Sequence, residues 1–152
     1  MWKTCFLIGN HDASPEIYAK LYNEIERHAA KYGVDEFFVG CNGIFDRLAV
    51  RALNEYVRYV NWVEVTLVMH YLNKEKYDDI MHRFSGSIFP DGLEKVPPRY
   101  AIVKGNQLMV DKVDYLIAYN KDTTGNVDRL LNYARKREKR GELKITLIEP
   151  EK

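Results

Sequence analysis

The stretch FFVGCNGIFDRLAVRAL, residues 37–53, decides the fold class of this chain. An apolar run ends in Gly-Cys-Asn-Gly, and a segment with apolar residues at helical spacing follows within a few residues. A short apolar run that stops at glycine is typical of a strand buried on both faces, and the segment after it is typical of an amphipathic helix. The two glycines at the junction have two explanations: a tight connection, or a backbone that must approach a ligand closely.

The same alternation of strand and helix recurs along the chain. We predict strands at residues 4–9, 36–40, 62–71, 113–120 and 143–149, and long helices at 14–33, 45–59, 99–112 and 123–141. Strands that alternate with helices favour a parallel sheet covered on both faces. The prediction is therefore an α/β fold, a Rossmann-like three-layer α/β/α domain with a five-stranded parallel sheet in the order 3-2-1-4-5. We predict a single domain over residues 1–152.

One segment, residues 72–98, interrupts this alternation. It contains a short stretch that favours a helix at 73–84, followed by a stretch rich in glycine, proline and serine. A long irregular segment in a compact domain is usually functional or mobile. Because it follows the third predicted strand, we predict a lid or an interface segment beside the ends of the strands.

Composition limits the classes of function. The chain has 152 residues, of which 46% are hydrophobic and 30% are charged, and its net charge is +1. This near-neutral balance favours neither nucleic acid nor a membrane as a partner. The basic run at 135–140 is typical of a solvated helix end. The apolar run before Gly9 is too short for a signal peptide, and the two cysteines form no CxxC pair, so we expect a cytoplasmic protein.

The candidate ligand site lies in the loops after the strands. In open parallel sheets, ligands bind beyond the carboxyl ends of the strands, where the strand order reverses. The predicted topology places GNHD (9–12), GCNG (40–43) and NKDTTGN (120–126) at that edge. Glycines let backbone N–H groups approach an anion, and helix starts add a favourable dipole, so we predict a phosphate-bearing ligand. There is no GxGxxG motif and no P-loop, so the sequence motifs do not support dinucleotide binding or ATP hydrolysis.

Several side chains near these loops have a functional and a purely structural explanation. Asp46, in the first turn of the second helix, either complements the helix dipole or accepts hydrogen bonds from ribose hydroxyls. His11 either contacts a phosphate, acts as an acid, or is an ordinary loop histidine. A metal site could be formed by His11, Asp12, Cys41 and His70, but their spacing matches no recognised pattern of metal ligands. We therefore predict no metal and no cofactor. Cys41 has no identified base to activate it as a nucleophile.

Four motifs in order, CFLIGNHD, FFVGCNGIFDRLAVRA, NQLMVDKVDYLIAY and TTGNVDRLLNYARKREKRG, resemble the SLOG superfamily. This Rossmann-like group includes the Lonely Guy hydrolases and the DprA-type proteins, and the short bacterial and phage members of unknown function are the most similar. The resemblance implies a nucleotide-like ligand. It implies a pocket formed by Gly9, Asn10, His11, Gly40, Gly43, Asp46, Thr124, Gly125 and Asn126. The Pro-Gly-Gly-x-Gly-Thr signature and catalytic glutamate of Lonely Guy enzymes are absent.

We therefore predict a nucleotide- or nucleotide-derivative-binding protein with a sensor or sequestering role, and we assign no catalytic residue. One alternative is an enzyme, a hydrolase or transferase that cleaves an N-glycosidic bond with Asp46 or Asp122 as its carboxylate. Another is a dimeric scaffold, because the tyrosine-rich helix faces could form a homodimer interface; these tyrosines are Tyr18, Tyr22, Tyr56 and Tyr59. We also expect valine at Gly43 or Gly125 to block the ligand and leave the fold largely intact.

Overall fold

A computed structural model describes residues 2–150 and shows a parallel sheet between two layers of helices. The strands are β1 (Thr4–Gly9), β2 (Glu36–Val39), β3 (Glu64–Val68), β4 (Gly86–Ile88), β5 (Tyr115–Tyr119) and β6 (Lys144–Ile148). The α-helices are α1 (Tyr18–Ala30), α2 (Ile44–Tyr56), α3 (Ala101–Val110) and α4 (Asn126–Lys139). Short 3₁₀ turns lie at Pro15–Ile17, Lys74–Tyr77, Met81–Arg83, Leu93–Lys95 and Pro98–Tyr100. Among these residues, no helix is long and apolar enough to cross a membrane.

The strand order is β4-β3-β2-β1-β5-β6, and every neighbouring pair is parallel. The predicted α/β class and the order of the five predicted strands are confirmed. The predicted strand count is wrong by one, because Gly86–Ile88 pairs with the outer edge of β3. These three residues carry no periodicity that predicts a strand. They form one because the edge of β3 offers unpaired N–H and C=O groups.

Each face of the sheet has its own apolar core. The helices α1 and α2 cover one face, where Leu21 and Leu53 pack with strand residues such as Phe37. The helices α3 and α4 cover the other face, where Met109 and Leu131 belong to the second core. The central strands β1, β2 and β5 read as largely continuous apolar runs because both of their faces are buried.

The segment 72–98 packs against the end of β3. The hydroxyl of buried Tyr77 accepts hydrogen bonds from the backbone N–H groups of His70 and Tyr71, each at 3.2 Å. Because these N–H groups bond to a side chain rather than to a strand, β3 ends at Val68, short of the predicted strand over 62–71. The short helix predicted at 73–84 is replaced by two 3₁₀ turns.

Candidate functional site

A cleft of about 440 Å³ lies beyond the carboxyl ends of the central strands. It sits where β1 leads to α1 on one face of the sheet and β5 leads to α4 on the other, which is the expected position for a ligand. The structure brings together in its lining all nine residues that the resemblance implied, Gly9, Asn10, His11, Gly40, Gly43, Asp46, Thr124, Gly125 and Asn126. The segment 72–98, all of it within the described part of the chain, supplies none of the lining residues.

The amide of Asn10 joins the loops that follow β1 and β5. Asn10 is buried; its Oδ1 accepts a hydrogen bond from the backbone N–H of Lys121 at 2.8 Å, and its Nδ2 donates to Oδ1 of Asn120 at 3.2 Å. At the surface, the ammonium of Lys121 pairs with the carboxylate of Asp12 at 2.9 Å. Asn10 therefore holds the two sides of the cleft together, and two of its polar atoms are already used for this purpose.

Gly43 allows the loop after β2 to lie directly on the loop after β1. A β-carbon on Gly43 would come within 2.5 Å of the Cα of His11, and the N–H of Ile44 donates to the carbonyl of His11 at 2.7 Å. A β-carbon on Gly9 would overlap the ring of Phe45. These glycines are thus required by contacts within the chain. The expectation that valine at Gly43 leaves the fold intact is wrong, because it would displace the backbone of the neighbouring loop.

Gly125 is required for a different reason. It caps the start of α4 with φ of +104°, a conformation that other residues rarely adopt, although a β-carbon there would meet none of the described atoms within 4 Å beyond its chain neighbours. The first N–H groups of α4 have no partner within the helix. Arg129 lines the cleft beside them and donates from Nη1 to Oδ1 of Asn126 at 3.0 Å. The start of α4 therefore brings N–H donors and the Arg129 guanidinium to this end of the cleft, where the Asp122 carboxyl also lines it and Asp128 lies in the first turn.

Asp46 places a carboxyl group at the start of α2. Asp46 is 6% exposed, and its Oδ2 accepts a hydrogen bond from the N–H of Asn42 at 2.8 Å. Burial raises the pKa of this carboxyl to about 6, against the opposing effect of the Asn42 N–H. Its other oxygen, Oδ1, has no hydrogen bond to any of residues 2–150. This oxygen is available to accept a hydrogen bond from a ligand in the cleft.

The three helix starts differ in what they offer an anion. The start of α2 carries Asp46, and its Ile44 N–H is bonded to the carbonyl of His11. The chain enters α1 through the turn Pro15–Ile17, which does not line the cleft. The expectation that three helix starts converge on a phosphate is therefore wrong: among the described residues, α4 alone of the three presents a free first turn to the cleft.

Three polar residues of the cleft region form a connected chain that the sequence did not reveal. The ring of His70, 3% exposed, lies between two amides: Nδ1 is 3.1 Å from Nδ2 of Asn42, and Nε2 is 3.2 Å from Oδ1 of Asn106. Asn42 and Asn106 both line the cleft. The sequence offered only weak signals that these residues are functional, since Asn42 lies inside GCNG and Asn106 is one polar residue in an amphipathic helix.

One wall of the cleft is apolar. Its lining includes Ile102 and Val103 from α3 and Val127 and Leu130 from α4. These positions were not among the predicted site residues, because apolar residues at helical spacing predict a core rather than a binding surface. The cleft therefore combines an apolar wall with a carboxyl acceptor on one side and a helix start on the other.

The histidines and cysteines near the cleft are arranged unfavourably for metal binding or for nucleophilic attack. Within residues 2–150, no three histidine, cysteine, aspartate or glutamate side chains are grouped so that they could hold a metal ion. Both ring nitrogens of His70 already have amide partners. Partial burial and the neighbouring Asp46 carboxyl raise the pKa of Cys41, which opposes formation of a nucleophilic thiolate.

Comparisons with known proteins provide no further assignment. No protein-family model matches the chain, and no curated protein matches its sequence. Membership in the SLOG superfamily therefore stays a prediction.

Proposed function

We propose that the protein binds a nucleotide or a nucleotide derivative in this cleft and acts in the cytoplasm as a sensor or a sequestering protein. The observation that carries the proposal is the opposite chemistry of the two sides of the cleft. Asp46 offers a carboxylate oxygen without a hydrogen-bond partner among residues 2–150, and the start of α4 offers N–H groups beside Arg129. A nucleotide carries both hydroxyl donors, on its ribose, and a phosphate anion.

Each part of a nucleotide has a complementary group in the cleft. The phosphate would lie at Gly125 and Asn126, where helix dipole and N–H donors favour an anion. The ribose hydroxyls would donate to Asp46, as acidic residues accept ribose hydroxyls in dinucleotide-binding folds. The base would lie against Ile102 and Val103. The volume of about 440 Å³ falls within the usual range for small-molecule sites.

Titration calorimetry tests the proposal with a panel of mono-, di- and cyclic nucleotides and ADP-ribose. We expect at least one member to bind, and Asp46→Ala to weaken its binding by roughly 1–3 kcal/mol, the cost of leaving the ligand's hydroxyl donors unpaired. The matched control is Asp91→Ala, which removes an exposed carboxyl outside the cleft lining. The proposal fails if no member binds, or if both variants bind as tightly as the original protein.

A second candidate function is cleavage of an N-glycosidic bond. The observation that favours it is the buried carboxyl of Asp46, because a pKa of about 6 suits a group that exchanges protons near neutral pH. Chromatographic detection of free base from nucleoside monophosphates would establish this activity, and its loss in Asp46→Asn would assign the carboxyl. The dimeric-scaffold alternative rests on the tyrosines of α1, of α2 and of the turn after α2, and it stays a prediction.

A further inference from the structure

His70 occupies a position from which it can orient two cleft residues at once. It follows β3, its backbone N–H is held by the Tyr77 hydroxyl, and its ring is buried between the loop before α2 and the helix α3. Gly105 lies against the ring, since a β-carbon there would be 2.5 Å from Cδ2. His70 is therefore held in place from three directions, its backbone by the 72–98 segment and its ring by the loop before α2 and by α3.

The hydrogen bonds of the ring determine which amide atoms are left for the cleft. A neutral imidazole has one N–H and one acceptor nitrogen. When Asn42 donates to Nδ1, the proton lies on Nε2 and donates to Oδ1 of Asn106. The remaining atoms are Oδ1 of Asn42, an acceptor, and Nδ2 of Asn106, a donor, and neither bonds to another of residues 2–150. The opposite tautomer would turn both amides together, so that one donor and one acceptor would still remain.

We propose that His70 is a positioning residue that makes the cleft present one amide donor and one amide acceptor, from Asn42 and Asn106. The cleft thereby selects a ligand that carries both an acceptor and a donor, as the edge of an adenine base does with a ring nitrogen and its exocyclic amino group. This inference rests on the proposed nucleotide-binding function. The charged groups near the ring are Asp46, which like the ring lies close to Gly40, and Lys76. Burial lowers the pKa of His70, and the positive charge of Lys76 lowers it further, while the hydrogen bond to Asn106 raises it. Because the net pKa lies below the usual value for histidine, the ring stays neutral near pH 7.

The first test uses the protein without ligand. Nitrogen-15 NMR of the His70 ring reports which nitrogen carries the proton, and loss of the signal in His70→Phe assigns it. We expect a protonated Nε2 in the original protein and in Asn106→Asp, because a carboxylate still accepts from Nε2–H. In Asn42→Asp the new carboxylate cannot donate, so we expect Nδ1 to become protonated. A purely space-filling ring would show the same protonation in all three proteins, and that result overturns the proposal.

The second test measures ligand selection with AMP and purine riboside 5′-monophosphate, which lacks the exocyclic amino group. We expect the original protein to prefer AMP by about tenfold, the equivalent of one hydrogen bond. In His70→Phe we expect a preference of less than about twofold. His82→Phe, at an exposed histidine outside the cleft lining, is the matched control and should keep the full preference.

The outcomes separate this inference from the proposed function. If neither probe binds, and no nucleotide of the calorimetric panel binds, the proposed function and the ligand selection are both overturned. The NMR result alone then decides whether His70 orients the two amides. Binding with an unchanged preference in His70→Phe overturns the inference and leaves the proposed function standing. If His70→Phe does not fold, the protonation of the His70 ring in the near-isosteric Asn42→Asp and Asn106→Asp variants decides the inference.

Discussion

Gly105 lies so close to the ring of His70 that a β-carbon on this residue would be 2.5 Å from Cδ2 of the ring. A glycine inside a helix normally lowers stability, and its replacement by alanine gains roughly 0.5–1 kcal/mol. Here we expect the opposite. Gly105→Ala should lower the free energy of unfolding by about 1–3 kcal/mol, the usual cost of overpacking a buried site.

Chemical denaturation measures this effect, with Gly86→Ala as the control because a β-carbon there would meet no described atom within 4 Å beyond its chain neighbours. A stabilised Gly105→Ala variant would mean that the His70 ring can move aside, and that its two amide hydrogen bonds do not hold it.

Gly43→Ala and Gly125→Ala should perturb the structure in different ways. At Gly43 the β-carbon meets the backbone of His11, so we expect the cleft loops to shift and NMR signals of His11 to change. At Gly125 the neighbouring space is open, and the cost is the backbone conformation, φ +104° with ψ −171°, about 1–3 kcal/mol. Amide NMR spectra distinguish a displaced loop from a local strain. Equal and local changes in both variants would contradict the assigned contact between the two loops.

Asp46 should make stability depend on pH in a direction opposite to His28. Burial raises the pKa of Asp46 to about 6, so its contribution is greatest below the unfolded value of about 3.9 and is lost as pH rises through 6. Burial lowers the pKa of His28 to about 4, so its contribution is present above about 6.5 and is lost as pH falls through 4. Between these limits the two effects offset each other.

Asp46→Asn removes one of the two effects. We expect this variant to exceed the original protein in stability by about 1–3 kcal/mol above pH 6, and the difference to vanish near pH 4, as the pKa of Asp46 dictates. Denaturation at several pH values measures the difference, and Asp91→Asn controls for loss of an exposed carboxyl. A difference that does not change with pH would show that the Asp46 carboxyl is hydrated in the folded protein.

Ligand binding should lower the pKa of Asp46. Ribose hydroxyls donate to the ionised form, so affinity should weaken as pH falls below about 6, and binding in that range should release a proton. Calorimetry in two buffers of different ionisation enthalpy counts the protons. A cyclic nucleotide is the suitable probe, because its phosphodiester does not titrate in this range. Proton release that persists in Asp46→Asn would place the titrating group elsewhere.

Arg129 should contribute to binding of the phosphate and not of the nucleoside. It is exposed and lies beside the first turn of α4, so we expect Arg129→Gln to weaken AMP binding by about three- to tenfold and adenosine binding by less than about twofold. Arg140→Gln makes the same change in charge just beyond the opposite end of α4 and should affect neither ligand. Equal loss for AMP and adenosine would contradict a phosphate at this helix start.

The sequence predicted the helices and strands best where one physical requirement dominated. Residues 5–7 and 37–39 must be apolar because both faces of these strands are buried. The third strand was predicted too long, because Tyr77 takes up the N–H groups of His70 and Tyr71 through a contact that only folding creates. β4 was missed because its pairing depends on the free edge of β3 and not on its own residues.

The sequence by itself determined the fold class, the order of the five predicted strands and the edge of the sheet where the cleft lies. Those properties follow from local periodicity and from the right-handed helical crossovers that join parallel strands. Only the tertiary structure decided the roles of individual residues. It placed Gly43 against His11, Gly105 against His70, and His70 between two amides, and it buried Asp46. These roles depend on distances between segments far apart in the chain, and no local pattern of residues records such distances.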